Sequence, residues 1–441
     1  MGRAFGTAGV RGVFNKTQTP EQVYRLAETT AFAFGKGCYG LGWDGRKTSA
    51  LLARTVMSAI SAVGSDVYVF GSVPTPVVAF GTRTRSCLAG FSVTASHNPP
   101  EFSGVKVFDR DGMELARPDE DRIERAMVVD VRRSSGSFGR FNQDSWVIDD
   151  YVRALVDRFD TVSTPVSIAV DCATGPGGAV TPRVLRLLGH RVVAVNAQVS
   201  WRFPAHPAEP VPGNLIEFAR MVSHLGVDFA FAHDGDADRL VMVSRGGRVL
   251  PDSVVSILAL HGLGVSGGQV VISENSSTAV EEEARRLGFK VLRSRVGKTF
   301  AALEIEGAVF ALEPSKVVDA NWGLWEDGIN AAALISCLLS REPGLVEKIE
   351  GELTWHYQQV NLNVAVRMPV LVERAREAFR KFKISEERML DGYKLVFQDG
   401  SWVMFRPSGT EPKTRIYCES KDLQMLETMV LQGTQCVESS L

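Results

Sequence analysis

The stretch PVSIAVDCATGPGGAVTPRVLRLLGHRVVAV, residues 165–195, decides the fold class of this chain. It contains an apolar strand-like run, a glycine-rich turn, an amphipathic helical run and a second apolar run, which is the pattern of a βαβ unit. A similar alternation precedes it over residues 49–95 and follows it over residues 267–294. Three such units predict three α/β domains with mostly parallel or mixed sheets covered by helices.

The C-terminal part of the chain has a different pattern. Strand-like runs at 358–366, 393–407 and 414–420 are combined with two helical stretches, which predicts an α+β module. A chain of 441 residues is also longer than one hydrophobic core supports. We therefore predict four domains, which cover residues 1–150, 151–246, 247–345 and 346–441.

The composition excludes several classes of function. A formal net charge of −2 provides no general attraction for nucleic acid or for acidic membranes. Residues 253–273 carry no formal charge, but their glycines, serines and histidine favour a buried α/β segment over a membrane span. The N-terminal residues contain no apolar run of signal-peptide length, and the six cysteines form no CxxC pair. We expect a cytoplasmic protein with reduced thiols.

Three aspartates form the first candidate site. In DFAFAHDGDADRLVMVS, residues 228–244, Asp234, Asp236 and Asp238 recur at every second position between two strand-like runs. In an extended chain this spacing points all three carboxylates to one side, where an all-oxygen set suits Mg²⁺. An EF-hand is excluded because Arg239 and Arg245 occupy the positions that need glycine and glutamate. The alternative is a solvated acidic turn.

The second candidate site is the segment RPSGTEPKTR, residues 406–415, which lies between two strand-like runs. Arginine forks, hydroxyls and a glycine that lets backbone N–H groups approach an anion suit a phosphate monoester. The residues that carry this prediction are Arg406, Ser408, Gly409, Thr410 and Arg415. An exposed turn that merely ends a strand is the alternative.

A serine forms the third candidate site. Ser96 in TASHNPP, residues 94–100, follows an apolar strand and precedes a stiff Asn-Pro-Pro turn. Taken alone it is more simply a turn or capping serine. Lys106 lies shortly downstream, and its amine could act as a general acid or base if its surroundings lowered its pKa.

The three motifs together, in this order and at these separations, resemble the α-D-phosphohexomutase superfamily, whose members include phosphomannomutase/phosphoglucomutase and phosphoglucosamine mutase. The resemblance covers essentially the whole chain. FGTAGVRG at 5–12, GWDGRKTS at 42–49 and HPAEPVPGNL at 206–215 are also similar to family segments. It implies three α/β domains and a C-terminal domain around a central cleft, and an intramolecular phosphotransferase that interconverts hexose 1-phosphates and 6-phosphates.

The resemblance also implies roles for individual residues. Ser96 would be carried as phosphoserine, and its phosphate would hold Mg²⁺ together with Asp234, Asp236 and Asp238. Catalytic roles would fall to Lys106, His97, Arg239 and Arg11. The substrate-binding residues would be Arg46, Glu313, Ser315 and the residues of the phosphate segment, namely Arg406, Ser408, Gly409, Thr410 and Arg415. The partners implied are a hexose phosphate substrate and a hexose 1,6-bisphosphate intermediate.

One segment departs from the family pattern. The usual sugar-reading loop is GExSGH, whereas this chain has LEPSKVVDANWGLWEDG. Glu313 and Ser315 match the hydroxyl-binding pair, but Lys316 replaces the glycine and Val317 replaces the histidine. Because Val317 offers no polar contact at the sugar C2, we predict that mannose and glucose 1-phosphates are both accepted. Phosphoglucosamine mutase and a Mg²⁺-dependent sugar phosphatase stay open as alternatives, as does an inactive sugar-phosphate-binding protein.

Overall fold

The computed structural model describes residues 5–6, 9–127, 137–297, 303, 307–408 and 413–440. These residues form four sheets, three of mixed direction and one fully antiparallel. The predicted α/β architecture with a C-terminal α+β unit is confirmed. No helix among these residues combines the length and the apolar character that crossing a bilayer requires.

The first unit is a six-stranded sheet of order β1-β5-β4-β2-β3-β6 with helices packed on it. Its strands are β1 (Val10–Val13), β2 (Cys38–Trp43), β3 (Asp66–Ser72), β4 (Ala89–Val93), β5 (Phe102–Asp109) and β6 (Phe141–Gln143). Its helices are α1 (Pro20–Phe34), α2 (Ser49–Ala62), α3 (Thr75–Thr84) and α4 (Arg117–Ala126). Helix α5 (Val147–Val156) follows and crosses the boundary that we placed between residues 150 and 151.

The second and third units are four-stranded sheets. The second contains β7 (Ser167–Asp171), α6 (Thr181–Leu187), β8 (Arg191–Val195), α7 (Ile216–Leu225), β9 (Phe229–Ala232) and β10 (Val241–Ser244). The third contains α8 (Asp252–Gly262), β11 (Gln269–Ser273), α9 (Thr278–Arg286), β12 (Lys290–Ser294), β13 (Ala308–Glu313), β14 (Lys316–Asp319), α10 (Gly328–Arg341) and α11 (Leu345–Glu352). The uncharged segment 253–273 therefore forms a buried helix and strand, as predicted.

The fourth unit is an antiparallel sheet of order β15-β19-β18-β17-β16. Its elements are β15 (His356–Leu362), α12 (Met368–Ala378), β16 (Ile384–Arg388), β17 (Tyr393–Phe397), β18 (Trp402–Pro407), β19 (Thr414–Ser420) and α13 (Leu423–Glu438). It has a hydrophobic core of its own, centred on Phe379, Tyr393 and Phe405. The second and third units instead share one continuous core, which joins Phe231 to Ile272 and Phe310.

The three mixed sheets repeat one arrangement. Strands β3-β2-β4-β5, β8-β7-β9-β10 and β12-β11-β13-β14 lie in the same order, with three parallel strands and one antiparallel strand at the end. Each antiparallel strand follows a turn at the carboxyl end of the last parallel strand. These turns, at residues 94–101, 233–240 and 314–315, contain the serine, the aspartates and the sugar-loop serine of the sequence prediction.

Asp327 joins helix α10 of the third unit to helix α5, which follows the first sheet. It caps α10 by accepting hydrogen bonds from the backbone N–H groups of Ile329 and Asn330 at 3.0 and 2.8 Å. Its carboxylate also accepts from the hydroxyl of Tyr151 on α5 and from the indoles of Trp322 and Trp325. All five donors depend on one buried side chain, which is 1% exposed.

Asp327→Ala should lower the free energy of unfolding by about 3 kcal/mol or more, because it strands several buried donors and removes a helix cap. Urea denaturation followed by circular dichroism measures this loss. Tyr151→Phe removes one donor only and should cost about 1 kcal/mol. A similar small loss for both variants would contradict the central role of Asp327.

Candidate active site

The serine loop holds Ser96 in a buried, uncommon backbone conformation. Ser96 is 1% exposed and has φ of 49°, in the left-handed region. Its hydroxyl donates to Asp234 Oδ2 at 2.6 Å and lies 3.3 Å from His97 Nδ1. Its backbone N–H donates to the hydroxyl of Thr94 at 2.8 Å. Left-handed non-glycine residues are typical of functional sites, where the surrounding structure compensates for the strain.

Arg46 holds this loop in place. Its guanidinium donates to the backbone carbonyls of Ser96, Asn98 and Pro99 at 2.6–2.7 Å. Its Nε pairs with Asp44, and the whole residue is 2% exposed. The sequence prediction made Arg46 a substrate-binding residue, whereas the structure commits its donors to the loop that carries Ser96.

The three aspartates are brought together by a turn and not by the extended chain that the sequence predicted. Ala237 has φ of 59°, and the turn places one oxygen of each carboxylate within 4.8 Å of the others. Gly235 allows the close approach to the serine loop, because a Cβ there would lie 2.7 Å from the Ser96 carbonyl oxygen. All three carboxylates are buried.

The aspartate cluster has the properties of a cation site. Asp236 Oδ1 and Asp238 Oδ1 are buried and have no hydrogen-bond partner. Burial, together with the charges of Asp238 and Asp236, raises the pKa of Asp234 well above its usual range. Carboxylates crowded in this way repel each other unless a cation lies among them. The residues present therefore fit a metal ion with oxygen ligands.

Lys106 on β5 supplies positive charge to this cluster. Its Nζ lies 3.3 Å from Asp236 Oδ2 and donates to Asp238 Oδ2. Burial disfavours the charged form of Lys106, but the two carboxylates outweigh burial and raise the pKa of the ammonium. The sequence prediction required a lowered pKa, and the structure shows the opposite direction.

His97 is surrounded by cations. Burial lowers the pKa of its imidazole well below the usual range, and the nearby charges of Arg239, Arg11, Lys316 and Lys106 act in the same direction. Arg11 also donates to the side-chain oxygen of Asn98 at 3.2 Å, and Arg239 Nε lies 3.8 Å from Asp234 Oδ2. The field of these cations at His97, the residue after Ser96, favours an anionic group at this place.

The sugar loop is a tight hairpin between β13 and β14. Ser315 has φ of 63°, and its carbonyl accepts from the N–H of Leu240 in the aspartate loop at 2.8 Å. Glu313 accepts from the N–H of Gly297 at 2.7 Å. Val317 is buried in the core shared with the second unit. The position that replaces the family histidine therefore points away from polar surroundings.

The phosphate segment lies at the ends of β18 and β19. Arg406 and Arg415 are direct partners across these two antiparallel strands, a placement of like charges that is unfavourable unless an anion joins them. The N–H of Ser408 donates to the carbonyl of Lys413 at 2.7 Å. The predicted residues Gly409 and Thr410 lie outside the described residues.

Asp391 links the phosphate segment to the sugar hairpin. It accepts from Arg406 Nε at 2.7 Å and from the N–H of Val296 at 3.1 Å. The adjacent Gly297 contacts Glu313. Hydrogen bonds between loops thus connect the serine loop to the aspartate turn, this turn to the sugar hairpin, and the hairpin through residues 296–297 and Asp391 to the phosphate segment.

Sequence reasoning missed several groups at this site. The hydroxyl of Thr75, at the start of α3, donates to Asp236 Oδ2 at 2.7 Å. Asp391, which accepts from Val296, and Glu326, which lines a cavity with Lys106 and Asp238, are each far in sequence from those groups. None of the three belongs to a recognisable motif, so only the folded chain identifies them.

Comparisons with known proteins identify the family of this chain. Four family models match the chain: domain I of phosphoglucomutase/phosphomannomutase at residues 2–130, domain II at 149–247, domain III at 250–354 and the C-terminal domain at 360–432. The chain therefore belongs to the phosphoglucomutase/phosphomannomutase family of isomerases.

Individual relatives match over almost their full length. A phosphopentomutase of Thermococcus kodakarensis is 34% identical over 95% of this chain and 94% of its own. A probable phosphoglucosamine mutase of Methanopyrus kandleri is 34% identical over 96% of this chain and 94% of its own. The crystal structure of a putative phosphomannomutase from Thermus thermophilus has a TM-score of 0.85 at 25% identity and covers 99% of this chain and all of its own.

A histidine in the second unit adds a pH-dependent contact. His206 Nε2 lies 3.1 Å from Asp171 Oδ2, and its Nδ1 lies 2.7 Å from the Pro207 carbonyl oxygen. Because both ring nitrogens face acceptors, the doubly protonated ring satisfies both contacts. Burial disfavours this charge, but the hydrogen bond to Asp171 and its charge outweigh burial and raise the pKa of His206.

His206→Ala should therefore lower the free energy of unfolding by about 1–2 kcal/mol at about pH 5.5, and by less at about pH 8.5. The raised pKa makes this contribution complete below the unfolded value of about 6.5 and removes it as the pH rises through the folded value. Urea denaturation across this pH range measures it. His224→Ala, at an exposed position, is the control, and an equal pH trend in both variants would contradict the assignment.

Proposed function

We propose that this enzyme interconverts hexose 1-phosphates and hexose 6-phosphates through a phosphoserine at residue 96 and a bisphosphorylated sugar intermediate. The observation that carries the proposal is the buried hydroxyl of Ser96, 2.6 Å from one of three clustered carboxylates. Arg11 donates to Asn98 in the same loop, and Lys106 and Arg239 lie beside the carboxylates. Family membership favours the same reaction.

The proposed chemistry moves one phosphoryl group in each half-reaction. A sugar hydroxyl oxygen bonds to the phosphorus of phosphoserine, the bond from phosphorus to Ser96 Oγ breaks, and the serine oxygen keeps the electron pair. The sugar hydroxyl loses its proton and the serine oxygen gains one, which keeps the protons balanced. We assign Lys106 and His97 to proton handling, and Arg239 and Arg11, which keep their protons, to charge stabilisation. The bisphosphorylated sugar then turns and returns its other phosphate to Ser96.

We assign Asp234, Asp236 and Asp238, together with the seryl phosphate, to a Mg²⁺ ion. When bound, the ion would offset negative charge on the transferring group. The unpartnered oxygens of Asp236 and Asp238 support a hard cation with oxygen ligands.

We assign the remaining contacts to substrate recognition. Glu313 and Ser315 would bind sugar hydroxyls, and Arg406, Ser408, Gly409, Thr410 and Arg415 would bind the phosphate that does not react. Because the sugar presents either phosphate to the same segment, arginine and hydroxyl donors without strict geometry suit the task. Relatives named phosphoglucosamine mutase and phosphopentomutase make glucosamine and pentose 1-phosphates the alternative substrates.

The test of the reaction is to incubate the enzyme with the 1-phosphates of glucose, mannose, glucosamine and ribose and to identify the products. We expect isomerised glucose and mannose esters at comparable kcat/KM and a species about 80 Da heavier by intact mass, the mass of one phosphoryl group. Ser96→Ala should lose that species and at least about 10³-fold in kcat.

Free phosphate as the main product would support a sugar phosphatase. Full activity in Ser96→Ala would overturn the role of the serine. A preference above about a hundredfold between glucose and mannose would contradict the predicted weak discrimination at C2.

Removal of divalent cations should abolish isomerisation, and Mg²⁺ should restore it. Asp236→Asn should weaken Mg²⁺ binding by at least about tenfold, as measured by titration calorimetry, because it removes one anionic ligand. Asp149→Asn changes a surface carboxylate paired with Arg183 and should leave Mg²⁺ binding unchanged. Full turnover in metal-free buffer would refute the metal assignment.

A further inference from the structure

Lys316 is a buried lysine at the start of β14, where the family pattern has glycine. It is 9% exposed, and its Nζ donates to Glu326 Oε2 at 2.5 Å. Among the residues that the structure describes, Glu326 is the one hydrogen-bond partner of this ammonium. An ammonium has three N–H donors, so two remain for another acceptor.

The fold places Lys316 beside the aspartate loop. The hydrogen bond from Leu240 to the preceding residue, Ser315, joins the sugar hairpin to the chain next to Arg239. Its partner Glu326 lines a cavity of about 10 Å³ together with Lys106 and Asp238. Such a space holds about one water molecule, so Glu326, the partner of Lys316, lies close to Lys106 and to Asp238 of the aspartate cluster.

Three other cations lie at the loops that carry the serine and the aspartates. Arg11 donates to the side-chain oxygen of Asn98, and Lys106 and Arg239 lie 3.3 and 3.8 Å from carboxylate oxygens of the aspartate loop. These three are already assigned to the transferring phosphoryl group. Lys316 approaches the aspartate loop from the third unit, through the bond of Ser315 to Leu240 and through its partner Glu326.

A buried charged pair is costly to keep for stability alone. Desolvation of the ammonium and the carboxylate offsets most of their attraction, and an apolar pair of similar size is often as stable. A buried cation that still has N–H donors available forms charge-assisted hydrogen bonds when an anion binds beside it, and these bonds stabilise the bound state.

We propose that Lys316 binds an oxygen of the phosphoryl group while that group moves between Ser96 and the sugar. Lys316 keeps its proton throughout and forms a hydrogen bond only. Glu326 is a positioning residue that holds the ammonium in this place. The proposal rests on the proposed function, and it assigns a role to a residue that the family pattern does not predict.

The test compares Lys316→Met, which keeps length and removes charge, with Lys316→Arg, which keeps charge. Lys316→Met should lower kcat for glucose 1-phosphate by about 10-fold to 100-fold and slow the phosphorylation of Ser96 by glucose 1,6-bisphosphate. Lys316→Arg should stay within about fivefold of wild type. The penalty of Lys316→Met should be the same with 2-deoxyglucose 1-phosphate, because the contact is to phosphate.

Lys394→Met is the matched control. Lys394, in β17 of the fourth unit, is another buried lysine beside a glutamate, which here is Glu274 of the third unit. The control variant should reduce the melting temperature as Lys316→Met does, but leave the phosphorylation rate of Ser96 within about threefold of wild type. An equal loss of that rate in both variants would show a general effect of removing a buried ion pair and would overturn the proposal.

Three further outcomes would overturn the proposal. Wild-type kcat in Lys316→Met would show that no contact exists, and a penalty that disappears with the 2-deoxy sugar would place the contact at the C2 hydroxyl. A loss in Lys316→Arg as large as in Lys316→Met, with a lower melting temperature, would show a structural role.

If wild type isomerises no sugar phosphate, the proposed function fails independently of Lys316. The affinity of the Mg²⁺-loaded protein for inorganic phosphate, measured by titration calorimetry, then tests the contact. Equal affinity in wild type and Lys316→Met would overturn it.

Discussion

Three buried carboxylates on one turn impose the constraint on which this structure depends. Asp234, Asp236 and Asp238 lie within 4.8 Å of one another, and at this spacing in a buried site they repel strongly. Two positive charges from different units offset this repulsion: Lys106 comes from the first sheet, and Arg239 comes from the aspartate loop itself. The packing of the first and second units against each other is therefore also an electrostatic arrangement.

A repeated topology makes this convergence possible. Each mixed sheet has an antiparallel strand beside its last parallel strand, and the turn before that antiparallel strand has a non-glycine residue with positive φ, at Ser96, Ala237 and Ser315. The carboxyl ends of the parallel strands in all three sheets thus carry turns of sharply bent backbone. Residues with positive φ other than glycine cluster at functional sites, where the surrounding structure compensates for the strain.

The units are joined by two different kinds of interface. The second and third units share one apolar core, which holds the aspartate turn and the sugar hairpin in a constant relation. The contact between the third and fourth units contains many polar groups, including the bond from Lys394 to the Glu274 carbonyl at 2.7 Å and the bond from the N–H of Thr278 to Glu419 at 2.8 Å. Polar interfaces of this kind permit relative motion more readily than apolar ones, which suits a site that must admit a sugar in two orientations.

The sequence by itself determined the alternation of strands and helices, the four-part organisation and the three motifs around Ser96, Asp234 and Arg406, because periodicity and local spacing are properties of neighbouring residues. It did not determine that Arg46 holds the serine loop, that a turn gathers the aspartates, or that Thr75, Glu326 and Asp391 belong to the site. Those relations join residues that are distant in the chain, and they exist only once four sheets have packed. The replacement of a family glycine by Lys316 is evident in the sequence, but only the fold places its side chain against Glu326 and its hairpin against the aspartate turn.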